Sequence, residues 1–328
     1  LPEKPPPPSL TSLYTARPGA LPARFRRERL LIVGCGDVGG RVAALLKGRI
    51  RVLALTSTAA RVPALRALGI QPLVGNLDQP ATVQRLAGMA TRILHLAPPA
   101  LDHSAEWWRD LRTQALVHAL RRRSLPRALV YGSTSGAYGD CQGAWVTETR
   151  PLAPSSPRAQ RRADAERQIR FLGRSSAHAG LEAQTVRVSV LRIPGIYAPD
   201  RPSGTPRDRL IKGTPVLNAE DDVYTNHIHA DDLARACLAA LWLGRPQRAY
   251  HVNDQSQLKM GDYFDLAADL YGLPRPPRVA RSTAQDALPL VLLSFMSESR
   301  RLDNTRMLRE LRLRLHYPDV SAGLLSKK

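Results

Sequence analysis

The chain has 328 residues, 43% of them hydrophobic, which is enough to bury a full α/β core. Its net charge of +20 comes almost wholly from arginine, since only six of the 48 basic residues are lysine. The arginines are spread along the whole chain and aromatic residues make up only 5%, which disfavours a nucleic-acid-binding protein. No apolar run is long enough to span a membrane.

Cysteine usage and the N-terminal composition indicate the compartment. Cys35, Cys141 and Cys237 stand alone, without the C-x-x-C spacing of a zinc site or the spacing of a disulfide framework. Residues 1–28 are rich in Pro and Arg and lack the apolar segment of a signal peptide, so we expect a disordered leader. These features predict a cytoplasmic protein.

An apolar run at 30–33 leads into a glycine turn of the form G-x-G-x-x-G and then into a helical pattern. We expect Gly34 to permit the tight turn and Gly36 to leave room for a phosphate. Either Gly39 or Gly40 then lets the helix pack closely on the sheet. The pattern predicts a dinucleotide pocket, and the alternative is a glycine-rich turn without a ligand.

Strands and helices alternate along the chain, separated by Pro and Gly. The apolar patterns predict strands at 50–55, 72–75, 93–97, 128–131 and 184–191. They predict helices at 58–68, 80–89, 104–123, 156–172 and 230–243. Such alternation is typical of an α/β fold with a doubly wound parallel sheet. We expect a nucleotide-binding core at 29–193, and a segment at 194–328 that completes the core and forms a small C-terminal substrate lobe.

The end of the second predicted strand bears on the choice of nucleotide. NAD-preferring proteins place a carboxylate there to bind the ribose 2′-hydroxyl, whereas this chain has Thr56 and Ser57, with Arg61 one helical turn later. Hydroxyls and an arginine suit a 2′-phosphate, so the sequence favours NADP over NAD. A second interpretation, compatible with the first, is that residues 56–58 cap the following helix.

His227, His229, Asp231 and Asp232 have the residue types of a metal site, but we expect them to have a structural role. The alternation at 226–229 predicts a short strand, after which Asp231 or Asp232 serves as the N-cap or the first-turn acid of a helix. No metal is therefore predicted.

Five segments resemble, in order, the sequence blocks of the extended short-chain dehydrogenase/reductases, also called the NAD-dependent epimerase/dehydratases. The segments are 31–40, 94–98, 131–140, 191–199 and 226–234. The resemblance extends over about residues 28–320. Within the family, the segments 138–143 and 147–149 are similar to the atypical, YeeZ-like subgroup. The resemblance implies a Rossmann fold that binds NAD(P), and in the family the first Asp of the last block caps a helix.

The coenzyme-binding candidates come from the glycine turn, from the end of the second strand and from positions that match the family's motifs. By resemblance, Asn76 lies near the adenine, Leu96 and Ala97 line the ribose on the nicotinamide side, and Arg162 holds a ribose or a phosphate. The full set is Gly34, Gly36, Asp37, Val38, Gly39, Thr56, Ser57, Arg61, Asn76, Leu77, Leu96, Ala97, Pro98, Arg162 and Pro194.

Family members use a tyrosine as general acid and base, a lysine four residues later that lowers its pKa, and an upstream Ser or Thr that binds the substrate. This chain has Arg158 and Arg162 in place of the Tyr and Lys. An arginine keeps its proton at any working pH, so Arg158 cannot replace the phenol. Thr134 occupies the Ser/Thr position and Tyr138 is the nearest remaining phenol, so these two are the candidate catalytic residues.

Two functions are compatible with these residues. The resemblance implies an NAD(P)-dependent oxidoreductase, epimerase or dehydratase that acts on a nucleotide-sugar-like substrate. The alternative is a catalytically silent NADP-binding sensor that acts through a partner protein. Thr134 and the later family blocks favour the enzyme, whereas Arg158 and Arg162 favour the sensor.

The predicted helices at 104–123 and 156–172 correspond to the pair through which the family often forms a homodimer. The density of arginine in the second helix argues against such packing. Trp107 and Trp108 fall on the first helix, where adjacent side chains cannot face the same way, so we expect at least one of them in the core.

Overall fold

Parallel β-strands form the centre of the molecule. The computed structural model describes residues 28–100, 106–175, 185–288, 292–293 and 296–326, so that nearly all of the predicted leader lies outside the described residues. The strands are β1 (Arg29–Val33), β2 (Arg51–Thr56), β3 (Gln71–Val74), β4 (Arg92–His95), β5 (Ala128–Thr134), β6 (Trp145–Val146), β7 (Arg187–Ile193), β8 (Gly195–Tyr197), β9 (Val216–Leu217), β10 (Tyr224–Thr225), β11 (His227–His229), β12 (Arg248–His251), β13 (Leu258–Lys259), β14 (Arg278–Val279) and β15 (Arg301–Leu302).

Helices connect most of these strands. They are α1 (Asp37–Leu45), α2 (Val62–Ala67), α3 (Pro80–Val83), α4 (Leu111–Leu120), α5 (Pro157–Ser175), α6 (Arg207–Ile211), α7 (Ala230–Leu243), α8 (Met260–Tyr271), α9 (Ala284–Ala287), α10 (Thr305–Glu310) and α11 (Val320–Leu324). Short 3₁₀ turns lie at Ala59–Arg61, Gln84–Leu86 and Ser135–Tyr138. Among the described residues, no helix combines the length and the apolar character needed to cross a lipid bilayer.

The central sheet has the strand order β3-β2-β1-β4-β5-β7-β12, and every neighbouring pair in it is parallel. The predicted doubly wound α/β fold is therefore confirmed. The winding direction reverses between β1 and β4. The carboxyl ends of these two strands leave a crevice, which is where ligands bind in such sheets.

Alternate side chains of β1 enter two separate hydrophobic cores. Leu30 and Ile32 pack in the core that contains residues of α1 and α7, whereas Leu31 and Val33 pack in the core that contains residues of α4 and α5. All four side chains are fully buried. Because helices cover both faces of the sheet, the strand has to be apolar at every position, as its sequence is.

The segment after residue 193 contributes both to the central sheet and to a smaller cluster beside it. It supplies the edge strand β12 and the helix α7. Its other strands form short pairs, β8 with β11, β9 with β14 and β10 with β13, while β15 pairs with the earlier β6. A third core, which includes Tyr263 and Phe264 of α8 and Val320 of α11, fills this cluster.

The helix predicted at 104–123 begins only at Leu111. The Asp110 carboxylate accepts hydrogen bonds from the backbone N–H groups of Arg112 and Thr113, and this N-cap fixes where the helix starts. The predicted start at 104 lies outside the described residues, and the residues from 106 to 110 form a turn.

Trp107 and Trp108 lie in the turn that precedes α4. Their side chains are 41% and 40% exposed, and their rings meet edge to face. The expectation that at least one of them is in the core was wrong, because neither belongs to the helix whose buried face would have enclosed it.

The helix α7 has the bounds that the sequence predicts, and its first residues decide between the two roles predicted for Asp231 and Asp232. His229 is the N-cap, and its Nδ1 accepts a hydrogen bond of 3.2 Å from the backbone N–H of Asp231. Asp231 and Asp232 lie in the first turn. They are therefore first-turn acids that favour the helix dipole, and the capping role that the resemblance implies for Asp231 is corrected.

Candidate functional site

A cleft of about 260 Å³ opens in the crevice between the ends of β1, β4 and β5. It brings together the glycine turn, the start of α1, Thr134 and two arginines of α5. Its lining residues are Gly34, Gly36, Asp37, Val38, Gly39, Leu96, Gly132, Ser133, Thr134, Arg158, Arg162, Ile193, Pro194, Ile196, Arg201 and Leu233.

Gly34 and Gly36 differ in the space that surrounds them. Gly34 has a φ of +89°, and a Cβ there would lie 2.3 Å from the backbone nitrogen of Ala97. Any larger residue would strain the turn and collide with the segment that follows β4. A Cβ at Gly36 would meet nothing within 4 Å, so this position borders open space in the cleft.

Gly39 allows the close packing of α1 on the sheet. A Cβ there would lie 3.1 Å from Cγ2 of Ile32 in β1, whereas a Cβ at Gly40 would meet nothing within 4 Å. Of the two glycines that the sequence leaves open for this role, the geometry selects Gly39.

Arg41 of α1 joins the segment after β8 to the start of that helix. The Arg41 guanidinium bonds to three carboxylates, those of Asp37 at 3.1 Å, Asp200 at 2.7 Å and Asp231 at 2.5 Å. Arg201 forms an ion pair of 3.2 Å with the other oxygen of Asp37. Asp37 is the only carboxylate among the described residues that line the cleft, and its charge is balanced by both arginines.

The end of β2 lies beside the glycine turn, just outside the cleft lining. The Arg61 guanidinium donates a hydrogen bond of 2.6 Å to the carbonyl oxygen of Cys35, within the turn. The hydroxyl of Thr56 bonds to the backbone of Thr58, and Ser57 is exposed. Thr58 is the N-cap of the next 3₁₀ turn without a side-chain hydrogen bond, and among the side chains of Thr56, Ser57 and Arg61 the hydrogen bond to the glycine turn comes from Arg61.

Of the predicted residues after β3 and β4, Leu96 lines the cleft, whereas Asn76, Leu77, Ala97 and Pro98 lie in two adjacent loops outside its lining. The side chain of Asn76 accepts a hydrogen bond from the backbone N–H of Asp78, and Leu77 is buried. Arg112 joins the two loops, because it forms two 2.7 Å bonds to the Asp78 carboxylate and one of 3.1 Å to the carbonyl oxygen of Pro98. Arg112 therefore holds the loop of Asn76 against the loop that begins with the cleft residue Leu96.

The opposite end of the cleft carries two arginines one turn apart on α5. Arg162 is 8% exposed and donates hydrogen bonds to the Gly132 carbonyl oxygen at 2.6 Å and to the Tyr131 hydroxyl at 3.2 Å. Arg158 is exposed and forms no hydrogen bond or ion pair with the described residues. Desolvation of the part of its side chain that faces the protein, and next the charge of Arg162, lower the pKa of Arg158 below its ordinary value.

His95, at the end of β4, is fully buried beneath this end of the cleft. Its Nε2 lies 2.9 Å from the hydroxyl oxygen of Thr113. Burial, and next the charge of Arg162, lower the pKa of His95 to about 3. The imidazole is therefore neutral at physiological pH.

Two hydroxyls stand at the end of β5. The Thr134 hydroxyl oxygen accepts a 3.2 Å hydrogen bond from the backbone N–H of Gly136, which leaves its O–H group free to donate into the cleft. The Ser133 hydroxyl donates 2.6 Å to the buried carboxylate of Glu166, which pairs with Arg192 at 2.8 Å. The Ser133 hydroxyl is thus already hydrogen-bonded to a buried carboxylate, and the Thr134 hydroxyl is the one that is available to a ligand.

Tyr138 lies outside the cleft lining. Its side chain is 1% exposed, and its hydroxyl accepts a hydrogen bond from Arg192 at 2.5 Å and donates one to Nε2 of His251 at 2.6 Å. His251 in turn donates from Nδ1 to the carbonyl oxygen of Asp303 at 2.9 Å. Burial raises the pKa of Tyr138 to about 12. The structure thus does not place the Tyr138 phenol in the cleft with Thr134, the other candidate catalytic residue.

The histidines and aspartates at 227–232 have protein partners. The rings of His227 and Tyr263 lie 4.1 Å apart, and those of His229 and Tyr317 lie 3.8 Å apart. Asp232 is buried and accepts hydrogen bonds from backbone N–H groups at 316 and 317. Within the described ranges, no group of three or more His, Cys, Asp or Glu is arranged to hold a metal ion.

Sequence reasoning did not select three polar lining residues, Ser133, Arg158 and Arg201. Ser133 precedes Thr134 and enters the cleft because β5 ends there. Arg158 was noticed as a departure from the family and not as a binding residue. Arg201 follows the block 191–199 directly, and its position after the end of a block that borders the cleft was a usable signal.

The cleft fits the diphosphate of a dinucleotide on three counts. Gly36 leaves open space at the entry to α1, the N–H groups of that helix point towards the cleft, and Arg201 lies at the same place. Apolar side chains, including Leu96, Ile193 and Ile196, line the cleft farther on, as a nicotinamide ring requires.

A sequence profile of the NAD dependent epimerase/dehydratase family matches residues 30–252, from β1 to the end of β12. No curated protein sequence matches the chain.

Solved structures of similar proteins cover 90% of this chain. A functionally unknown conserved protein from Silicibacter pomeroyi has a TM-score of 0.74 and 29% identity, with 96% of that chain covered. UDP-glucose 4-epimerase from Thermotoga maritima, solved with UDP-glucose, has a TM-score of 0.71 and 18% identity, with 96% covered. The dTDP-glucose 4,6-dehydratase DesIV from Streptomyces venezuelae, solved with NAD, has a TM-score of 0.69 and 22% identity, with 95% covered.

Proposed function

Because this chain belongs to the NAD-dependent epimerase/dehydratase family, we propose that its cleft binds NADP in preference to NAD and serves oxidoreductase or epimerase chemistry on a nucleotide-sugar-like substrate. The observation that carries the proposal is one continuous cleft that joins the glycine turn to Thr134 and the start of α5. The epimerase and dehydratase among the similar structures, which act on nucleotide-sugars by their names, support the substrate class.

The preference for NADP rests on Arg61. Its guanidinium lies against the carbonyl oxygen of Cys35, with its remaining N–H groups available at the end of β2. No carboxylate stands at 56–58 to accept a bond from a ribose 2′-hydroxyl or to repel a 2′-phosphate.

Different residues of this chain have different roles in the proposed reaction. A bound nicotinamide would supply the hydride acceptor or donor. Thr134 donates a hydrogen bond to a carbonyl or hydroxyl oxygen of the substrate, and Arg162 fixes the floor of the cleft through Gly132. Leu96 and Ile193 keep water away from the reacting carbon.

Coenzyme titration followed by a turnover assay tests the proposal. We expect NADPH and NADH to bind with one-to-one stoichiometry, NADPH more tightly, and Thr134→Ala to lower turnover of UDP-glucose or another nucleotide-sugar without loss of coenzyme affinity. Tighter binding of NADH would contradict the NADP preference. Absence of binding by either coenzyme at millimolar concentration would contradict the whole proposal.

Arg158 and Arg162 favour a second candidate function, an NADP-binding sensor without turnover. Neither guanidinium can exchange a proton as the family's phenol does. If the chain is a sensor, Thr134→Ala changes nothing that an enzyme assay measures, while Arg158→Tyr with Arg162→Lys creates dehydrogenase activity on nucleotide-sugars. Sedimentation of the purified protein would test whether this chain forms the homodimer that is common in the family.

A further inference from the structure

The two ends of the cleft differ in how their charges are balanced. Near the glycine turn, Arg201 pairs with Asp37, and Asp37 is also bonded to Arg41. At the other end, Arg158 and Arg162 line the cleft, and no carboxylate among the described lining residues faces them. This end therefore presents a surplus of positive charge to whatever enters the cleft.

The geometry of α5 keeps the two guanidiniums close together. Arg158 and Arg162 are four residues apart, so they lie on one face of the helix, where like charges repel. The hydrogen-bond partners of Arg162 are a carbonyl oxygen and a phenol hydroxyl, which are both neutral, and the carboxylate that interacts with its charge, Asp110, is buried outside the cleft lining. Arg158 has no hydrogen-bond or ion-pair partner in the described part of the chain.

The diphosphate of a dinucleotide does not account for this surplus. It belongs at the glycine turn, where Gly36, the start of α1 and Arg201 gather. Arg158 lies instead at the end where Thr134 offers its hydroxyl. An anion that meets Arg158 must therefore be carried by a second molecule, the one that reacts at Thr134.

We propose that Arg158 is a specificity-determining residue that binds a carboxylate or phosphate group of the substrate close to its reacting carbon. The inference rests on the proposed function for the identity of the ligand as substrate. The planar guanidinium offers two parallel N–H donors, which match the oxygens of a carboxylate or a phosphate. Substrates that are neutral near the reacting carbon are bound less tightly, because they leave both cations uncompensated.

Anion binding by the protein saturated with NADPH tests this inference. The probes are oxalate and orthophosphate, titrated by calorimetry at constant ionic strength into the wild type, Arg158→Gln, Arg158→Lys and Arg167→Gln. Arg167 is the matched control, since it lies on the same helix, its side chain is 72% exposed, and among the described residues it pairs with Asp164 alone. We expect Arg158→Gln to weaken anion binding at least about tenfold and Arg158→Lys to weaken it less, while Arg167→Gln binds as the wild type does.

The better probe identifies the group, oxalate indicating a carboxylate and orthophosphate a phosphoryl group. Equal affinity of the wild type and Arg158→Gln for both anions, including the absence of binding by both proteins, would overturn the inference. NADPH affinity is measured first for each protein, so failure of the proposed coenzyme function is recognised separately. In that case the same comparison without NADPH still isolates the contribution of Arg158.

Discussion

The glycine-turn end and the arginine end of the cleft are built on different principles. At the glycine turn the determinants are backbone positions, namely the positive φ of Gly34 and the open space at Gly36. At the arginine end they are side chains, Arg158, Arg162 and Thr134, which project from a helix and a strand end. The first end keeps the pattern of its family, and the second departs from it.

This contrast indicates that the two ends of the cleft have different functions. The glycine-turn end provides the coenzyme site that is general to the fold, and the arginine end provides the substrate-facing groups that are particular to this chain. A backbone cradle tolerates only glycine at its closest contacts, so its sequence can change little without losing the turn. Side chains at a strand end or on a helix can be exchanged without disturbing the sheet. A protein can therefore keep a coenzyme site while it replaces the groups that face the substrate.

The largest expected effect is at the glycine turn. Gly36→Val places a branched side chain in the open space of the cleft, so that the diphosphate site is filled. Because the ψ of Gly36 is −149°, outside the regions that a β-branched residue prefers, we also expect a lower Tm. Coenzyme affinity, measured by calorimetry well below the Tm of the variant, should fall by about 100-fold or more.

Gly40→Ala is the matched control, because its Cβ also meets nothing within 4 Å but the residue does not line the cleft. It should keep coenzyme affinity and raise the stability by about 0.5–1 kcal/mol, since alanine is favoured over glycine inside a helix. Full coenzyme affinity in Gly36→Val would show that the diphosphate binds elsewhere.

At the arginine end we expect an acid-sensitive stability centred on His95. The pKa of His95 in the folded protein is about 3, below the ordinary value of 6.5. Between these two values the unfolded chain binds a proton at His95 and the folded protein does not. The free energy of unfolding should therefore fall as the pH drops from about 6.5 towards 3, by up to about 1.4 kcal/mol for each pH unit.

Urea unfolding of His95→Gln at several pH values measures this contribution. The variant should lose less stability than the wild type between pH 7 and pH 4, whereas His118→Gln, a change at an exposed site on α4, should follow the wild type. Parallel curves for wild type and His95→Gln would contradict the placement of a neutral histidine beneath Arg162.

Tyr138→Phe separates a buried structural phenol from a catalytic one. Removal of the hydroxyl leaves Arg192 and His251 without one buried partner each, so we expect a loss of about 1–3 kcal/mol in the free energy of unfolding. Coenzyme affinity should stay the same. A loss of turnover at unchanged stability would return Tyr138 to the list of catalytic candidates.

The smallest expected effect concerns the choice between coenzymes. Arg61→Gln should weaken NADPH binding about tenfold, because a 2′-phosphate loses one charge-assisted partner, and should leave NADH binding unchanged. Titration of both coenzymes into both proteins measures the ratio. An equal loss for NADPH and NADH would mean that Arg61 only supports the glycine turn through Cys35.

The sheet and the glycine turn could be predicted because the signals are local. The apolar run of β1 and the alanine and leucine pattern of Ala230–Leu243 are set by neighbours in the sequence. The edge strand Arg248–His251 was not predicted, since it is short, has no clear alternation and becomes a strand by pairing with β7. The start of α4 depends on the N-cap Asp110, which the sequence alone does not distinguish from the other polar residues nearby.

The substrate-facing residues could be predicted only in part. Thr134 was found because it matches a position in a family block. The proximity of Arg201 to Asp37 arises when the fold brings distant segments together, which no local pattern reports. The burial of Tyr138 behind Arg192 is likewise a property of the packed structure.

A crystal structure of the protein with NADPH is the most direct measurement. We predict that the diphosphate lies within hydrogen-bond distance of the backbone at Gly36 and the first turn of α1, with the nicotinamide directed towards Thr134. A structure in which NADPH binds away from the glycine turn, or does not bind at millimolar concentration, would contradict this assignment.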